Sequence, residues 1–230
     1  MEKFVEKFNV FDLFTTLIPG IIIMSLFGIS LSFQWYEKWE TYGNEKYVIF
    51  FVFSYFCGVL FQEIGDFMDK IFMCKILYGG EPRKIFLLNE YKERIFHDEL
   101  SYENMLEIKE YIDEYVSPKI KKEMDDESYN ALVFSYCLNI CELNGMSAKI
   151  DRMIAISELS RALFWGCIAT IVLNLWLLYG GSCNAMFLKY EIIGLCIAAL
   201  IFMRRKVRFE RYRVKMLFRT FLIYQKSKSI

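Results

Sequence analysis

Apolar and polar positions alternate on a coarse scale along this chain: four long apolar runs are separated by stretches dense in charge. Leu13 to Phe33 is 21 residues without a charged side chain, close to the ~20 that cross ~30 Å of hydrocarbon as a helix. Pro19-Gly20 interrupts this run, which a transmembrane helix tolerates when neighbours re-satisfy the freed carbonyls. Tyr47 to Phe61 has 15 uncharged residues. It reaches span length by continuing through Gln62, Glu63 and Ile64, or by thinning the bilayer locally. Ala162 to Gly180 and Ala185 to Met203 are the third and fourth runs. The third has Asn174 as its most polar member, and the fourth has Lys189 and Glu191 near one end, within reach of interfacial snorkelling. The first run exceeds the ~7–15 apolar residues of a signal peptide and has no small-x-small cleavage site after it. It is expected to be an uncleaved helix.

Between the second and third runs the apolar residues recur at helical spacing. In Asp98–Val116, the residues Met105, Ile108, Ile112 and Val116 make one stripe, and Ser117-Pro118 ends the helix. A second helix starts after Asp125-Asp126 and runs to Gly145, a C-terminal stop. From Ser147 the pattern continues unbroken into the third run. The expected fold is therefore all-α: a polytopic membrane protein with four transmembrane helices and a cytosolic helical insert between helices two and three. Its segments are an N-terminal hairpin (1–64), the insert (65–161), a second hairpin (162–203) and a basic amphipathic cytosolic tail (204–230).

Charge sets the expected orientation. The chain carries 28 Lys and Arg against 28 Asp and Glu, and only Lys38, Lys46 and Lys189 fall in the two loops that join paired spans. The positive-inside rule then places both termini and the insert in the cytoplasm, with the inner (plasma) membrane as the location. Trp35, Tyr36 and Trp39, with Trp176 and Tyr179, suit an outer aromatic belt.

The insert is acidic, with 19 acidic and 13 basic residues, whereas the tail has ten basic residues opposed only by Glu210. Val207, Val214, Leu217, Phe218 and Phe221 lie among those basic residues near helical spacing. Such a stretch reads as an interfacial helix on anionic lipid, with Arg204, Arg205, Lys206, Arg208, Arg211 and Arg213 as contacts, or as a surface for the acidic insert. Nucleic acid is a less fitting partner, because the bilayer is the nearer anion.

Enzymatic chemistry finds little to work with. Cys137 and Cys141 share a helix face, but a zinc site needs about four ligands and the one histidine, His97, is remote. These cysteines read as core, since free Cys packs as a small hydrophobe. The arginine–spacer–histidine pattern of helical nucleases is missing, because position 92 is Lys and Arg94 is too near His97. Gly79-Gly80-Glu81-Pro82-Arg83-Lys84 lacks the phosphate-loop pattern. No catalytic residue, cofactor or metal is expected.

Polar residues at span boundaries say more. Glu63, Asp66 and Lys70 share a face after the second span, with Asp69 adjacent. Repeated round a homo-oligomer, Glu63, Asp66 and Asp69 would make an acidic, cation-favouring mouth; alone, the cluster is equally a solvated helix leaving the membrane. Asn174 is expected to hydrogen-bond between helices, and Ser54, Cys57 and Gly58 to permit close helix approach.

The stretch Phe11-Asp12-Leu13-Phe14-Thr15-Thr16-Leu17-Ile18-Pro19-Gly20 resembles the opening of small bacterial multi-pass proteins found near antiviral genes. The layout of two spans, insert, two spans and basic tail is similar to the four-span accessory membrane proteins of some RNA-targeting CRISPR systems. The resemblance implies an effector that permeabilises the infected cell or regulates a cytosolic nuclease, and it assigns no role to any particular residue. The expected function is an oligomeric membrane effector that forms or gates a pore or channel; the alternative is a membrane-anchored scaffold that recruits or regulates a cytosolic partner such as a nuclease.

Overall fold

The computed structural model describes residues 13–31, 43–73, 82–85, 102–114, 124–181 and 185–228. Trp35, Tyr36, Trp39, Gly79, Gly80, His97, Val116, Pro118 and Cys183 lie outside them. Every described element is helical: α1 (Ile18–Ser30), α2 (Glu45–Met68), α3 (Pro82–Ile85), α4 (Tyr102–Asp113), α5 (Asp126–Leu143), α6 (Ala148–Tyr179) and α7 (Ala185–Lys228). A π-helical turn, Leu13–Leu17, leads into α1, and another, Asp69–Met73, follows α2. Four of these segments are long and apolar enough to cross a membrane: Leu13–Ser30, Glu45–Ile71, Ala148–Tyr179 and Ala185–Lys228.

The chain divides into two compact units, Met1–Phe67 with Ala155–Val207, and Met68–Ile154 with Arg208–Ile230. Both α6, with 32 residues, and α7, with 44, contribute to each unit. At ~1.5 Å per residue α7 is roughly 66 Å long, about twice the hydrocarbon thickness. The fourth run and the basic tail thus form one helix rather than a span followed by a separate interfacial helix. Nothing between Met203 and Val207 breaks it, because neither Gly nor Pro occurs there.

In the first unit α1 and α2 pack backbone to backbone. A Cβ placed on Gly20 would lie 1.8 Å from the Ser54 carbonyl oxygen, and one on Gly58 would lie 2.0 Å from that of Thr16. Ser54, Cys57 and Gly58 are all buried, and Ser54 and Gly58 form this contact, as their small size anticipated. Apolar helices gain little from solvent exclusion inside lipid, so close approach and dispersion carry their association. A Cβ on Gly166 would likewise meet Ile23 of α1, at 2.4 Å from Cγ1. Cys167, Leu195 and Ala199 are buried nearby, with Leu26, Ile168, Ile171 and Ala198 packed round them.

The second unit has an ordinary apolar core. Ile108 and Ile112 of α4, Val133, Phe134, Cys137 and Cys141 of α5, and Ile150 of α6 pack with Val214, Leu217, Phe218 and Phe221 of α7. Of the predicted stripe, Ile108 and Ile112 face inward, while the Met105 side chain and Val116 lie outside the described residues. Edge-to-face ring pairs join Phe134 to Phe218 and Tyr111 to Phe221. At the start of α5, Asp125 accepts a hydrogen bond from Ser128, and that bond first among several causes lowers its pKa. At its end Gly145 has φ +68°, Met146 N–H donates to Cys141 O at 2.8 Å, and Gly145 N–H donates to Glu142 O at 3.0 Å. This pairing satisfies carbonyls that the helix would otherwise leave open, and the left-handed residue is best a glycine.

Candidate functional site

The polar side chains of the first unit turn inward and find one another. Pro19 has no N–H, so the helical partner of the Thr15 carbonyl four residues earlier is missing. Gln62 supplies it: its Nε2 donates to Thr15 O at 2.6 Å, and its Oε1 accepts from Thr16 Oγ1 at 3.2 Å. One amide of α2 thereby repairs the break that proline makes ahead of α1.

The acidic residues after the second span divide. Glu63 is exposed. Asp66 faces α6, where its Oδ1 accepts from Arg161 Nη1 at 3.3 Å, and Glu158 lies 3.7 Å from the other terminal nitrogen of the same guanidinium. Asp69 belongs to the second unit and is 6 % exposed. Within one chain Glu63 is thus exposed, Asp66 is paired with Arg161, and Asp69 is buried. Arg161 was not singled out from sequence. Its signal is position, three residues after Glu158 and one before an apolar run.

The six basic residues of the tail read as lipid contacts also separate. Arg204, Arg205 and Arg208 are exposed, whereas Lys206 is 4 % exposed. Arg211 and Arg213 are half-buried. Arg213 lies 3.3 Å from Glu210 and stacks over the Phe134 ring, and Arg208 stacks over Tyr212. The apolar face of the tail, Val214 to Phe221, is spent on protein core. Further along, Lys226 pairs with Glu107 of α4 at 3.3 Å, so the basic tail meets the acidic segment within the second unit.

Two expectations about the spans need correction. Asn174 is fully buried, yet neither its Nδ2 nor its Oδ1 has a hydrogen-bond partner. Glu191 does not snorkel outward; its Oε1 is 3.0 Å from Ser30 Oγ of α1. A helix of this length carries Lys189 to an exposed position while the residue two further on turns into the bundle.

Among the described residues, no three His, Cys, Asp or Glu side chains gather to hold a metal ion. In the second unit the thiols are held neutral. Burial pushes Cys141 up to about 11, and burial followed by the neighbouring Cys141 pushes Cys137 higher still. Tyr129 is raised by burial and by donating its hydroxyl to the Asp113 carboxylate. These groups serve packing; a nucleophilic thiol needs a lowered pKa. No family model matches the chain, and neither a curated protein nor a solved structure matches it.

Proposed function

We propose that the chain is a multi-pass membrane anchor whose helical second unit recruits a cytosolic protein. The observation that supports this reading is the distribution of polarity on the apolar helices. Their exposed positions are large and apolar, including Phe51, Phe53, Phe56 and Leu60 of α2, Val172 and Leu175 of α6, and Ile193, Ile197, Leu200 and Ile201 of α7. Of their polar members Thr15, Thr16, Ser54, Thr170 and Asn174 are buried, and exposed Ser25 donates its hydroxyl back to Ile21 O of its own helix. A helix that lines a water-filled lumen presents a polar stripe outward from its own bundle, and these present hydrocarbon. The charge division favours the inner membrane with both termini cytoplasmic. The resemblance to membrane proteins of antiviral gene neighbourhoods makes a nuclease a fitting partner. Arg204, Arg205 and Arg208 remain placed to hold anionic headgroups, and Lys206 does not.

A second reading, an oligomeric pore, is favoured by one observation: Glu63 stays exposed at the end of the second span. Conductance of purified protein in liposomes separates the two. The anchor reading expects no current above empty vesicles, with or without added cytosolic partner. A cation-selective current that falls in Glu63→Gln would establish the pore and remove the anchor reading. Maleimide labelling of Cys183 from outside intact cells tests the orientation.

A further inference from the structure

Two of the apolar helices carry the same exposed pattern. On α2 the exposed residues Ile49, Phe53, Phe56, Leu60 and Glu63 follow one another at steps of four, three, four and three. On α7 Tyr190, Gly194, Ile197, Ile201 and Arg204 are exposed at the same steps. Alternating steps of four and three keep a stripe on one side of a helix, and they are the spacing at which parallel helices mesh. Each stripe is uncharged until its last member, which is acidic on α2 and basic on α7.

The two charges stand at nearly one depth. Helix α6 ends at Tyr179 and α7 begins at Ala185, and Cys167 of the one packs with Leu195 and Ala199 of the other, so the pair is an antiparallel hairpin. Arg161, 18 residues before Tyr179, is then level with Met203, 18 after Ala185. Arg161 pairs with Asp66, three residues after Glu63. Glu63 and Arg204 thus lie within about one turn, ~5 Å, of the same level. Both α2 and α7 run toward that level, so they are parallel. Among the described residues neither Glu63 nor Arg204 has an ion-pair or hydrogen-bond partner. Each borders exposed apolar side chains, Leu60 and Ile64 for Glu63, Leu200 and Ile201 for Arg204. A charge beside hydrocarbon is solvated less well than in water, and an opposite charge attracts it more strongly.

We propose that a second copy of this chain covers these stripes: α2 of one copy lies along α7 of the next, with Glu63 of one paired to Arg204 of the other. Setting those charges opposite each other fixes the register. Leu60 then meets Ile201, Phe56 meets Ile197 and Phe53 meets Gly194, because the steps on the two helices are equal. Gly194 suits this register independently. A Cβ there would have nothing within 4 Å, so the backbone is bare on its outer side, and the Phe53 ring of the neighbour fills that hollow. Close approach at small residues, with dispersion contact, is what holds helices together in lipid. Copies inserted with one orientation present parallel helices and equal depths without further adjustment. Every copy has both stripes, so the contact is heterologous and repeats round a ring. The pairing rests on the membrane-spanning helices and on neither the anchor nor the pore reading.

The test is oxidative cross-linking of the full chain in membranes, in a background with Cys183→Ser and Cys196→Ser. Leu60→Cys combined with Ile201→Cys should give covalent dimers and higher multiples. Either change alone, or Leu60→Cys with Ile197→Cys, which is a turn out of register, should give about tenfold less, since a disulfide needs Cα atoms within ~7 Å. Added to the cross-linking pair, Glu63→Arg or Arg204→Glu should lower the yield several-fold, and both together should restore it. Glu63→Gln and Arg204→Gln, gentler on the fold, should lower the yield as much singly as together, as partners in one pair do. A double-cysteine chain that cross-links no better than the single variants overturns the proposal. Glutamine losses that add would assign Arg204 to lipid phosphate and Glu63 to solvent, and would overturn it equally. Conductance is not read here, so failure leaves the choice between anchor and pore untouched.

Discussion

Replacing Gly20 or Gly58 by alanine should force α1 and α2 apart, while the same replacement at Gly28 should be harmless. The added Cβ would sit 1.8 Å from Ser54 O in the first case and 2.0 Å from Thr16 O in the second. Carbon–oxygen contacts settle near ~3.5 Å, so a backbone must retreat by about 1.5 Å. Neither obstacle is a flexible side-chain tip; both are main chain. Overpacking of this kind costs about 1–3 kcal/mol. Separation also stretches the Gln62 bonds to Thr15 and Thr16, at about 0.6 kcal/mol each in a bilayer setting. Against this, alanine gains about 1 kcal/mol of helix propensity over glycine. The net loss is about 1–3 kcal/mol, or several degrees in melting temperature. At Gly28 a Cβ meets nothing within 4 Å, so only the propensity gain remains. The assay is thermal unfolding in detergent, read by a dye that becomes fluorescent on reaching buried thiols such as Cys57 and Cys167. Should Gly20→Ala and Gly58→Ala melt at or above Gly28→Ala, the close approach of α1 and α2 described here is wrong.

Gln62→Leu should remove the amide's bonds to Thr15 and Thr16 and lower stability by about 1–2 kcal/mol, whereas Gln62→Asn should rescue little because its amide falls one methylene short; the same thermal assay reads both. Phe218→Ala should destabilise the second unit by about 3–5 kcal/mol and speed its cleavage by protease. Ile223→Ala, at a position 70 % exposed on the same helix, should change stability by less than about 0.5 kcal/mol. Cys137 and Cys141 should resist alkylation at pH 8 until denaturant is added. The folded thiol of Cys141 titrates near 11, above its ordinary value of 9.0, so its neutral form favours the fold. That stability is fully present below about pH 9 and should be lost as pH rises toward 11, which a melting series in pH would show. Asp66→Asn should weaken the bond to Arg161 by about 0.5–1 kcal/mol, since the carboxylate is 44 % exposed; an Asp66→Asn, Arg161→Met cycle isolates that coupling.

Much about this protein is local in origin and was legible in the residues themselves. Run length and hydropathy place four helices able to cross a membrane, because each satisfies its own backbone and presents apolar side chains whatever its neighbours are. The stop at Gly145 and the inward stripe of Ile108 and Ile112 are equally local, set by backbone freedom and by the helical period. Partner choice is not local. The amphipathic tail has the same pattern whether its apolar face meets lipid or protein, and only the tertiary structure turns Val214, Leu217, Phe218 and Phe221 onto α4 and α5. Proline in the first run announces a carbonyl in need of a donor without saying which residue supplies it; Gln62, 47 positions from Thr15, does so only because Gly20 and Gly58 let two backbones touch. Glu191 beside Lys189 looks like an interfacial pair in sequence, yet rotation of a long helix sends one outward and the other into the bundle. Hydropathy measures what a segment would rather leave. Which surface receives it is decided by residues far apart in the chain.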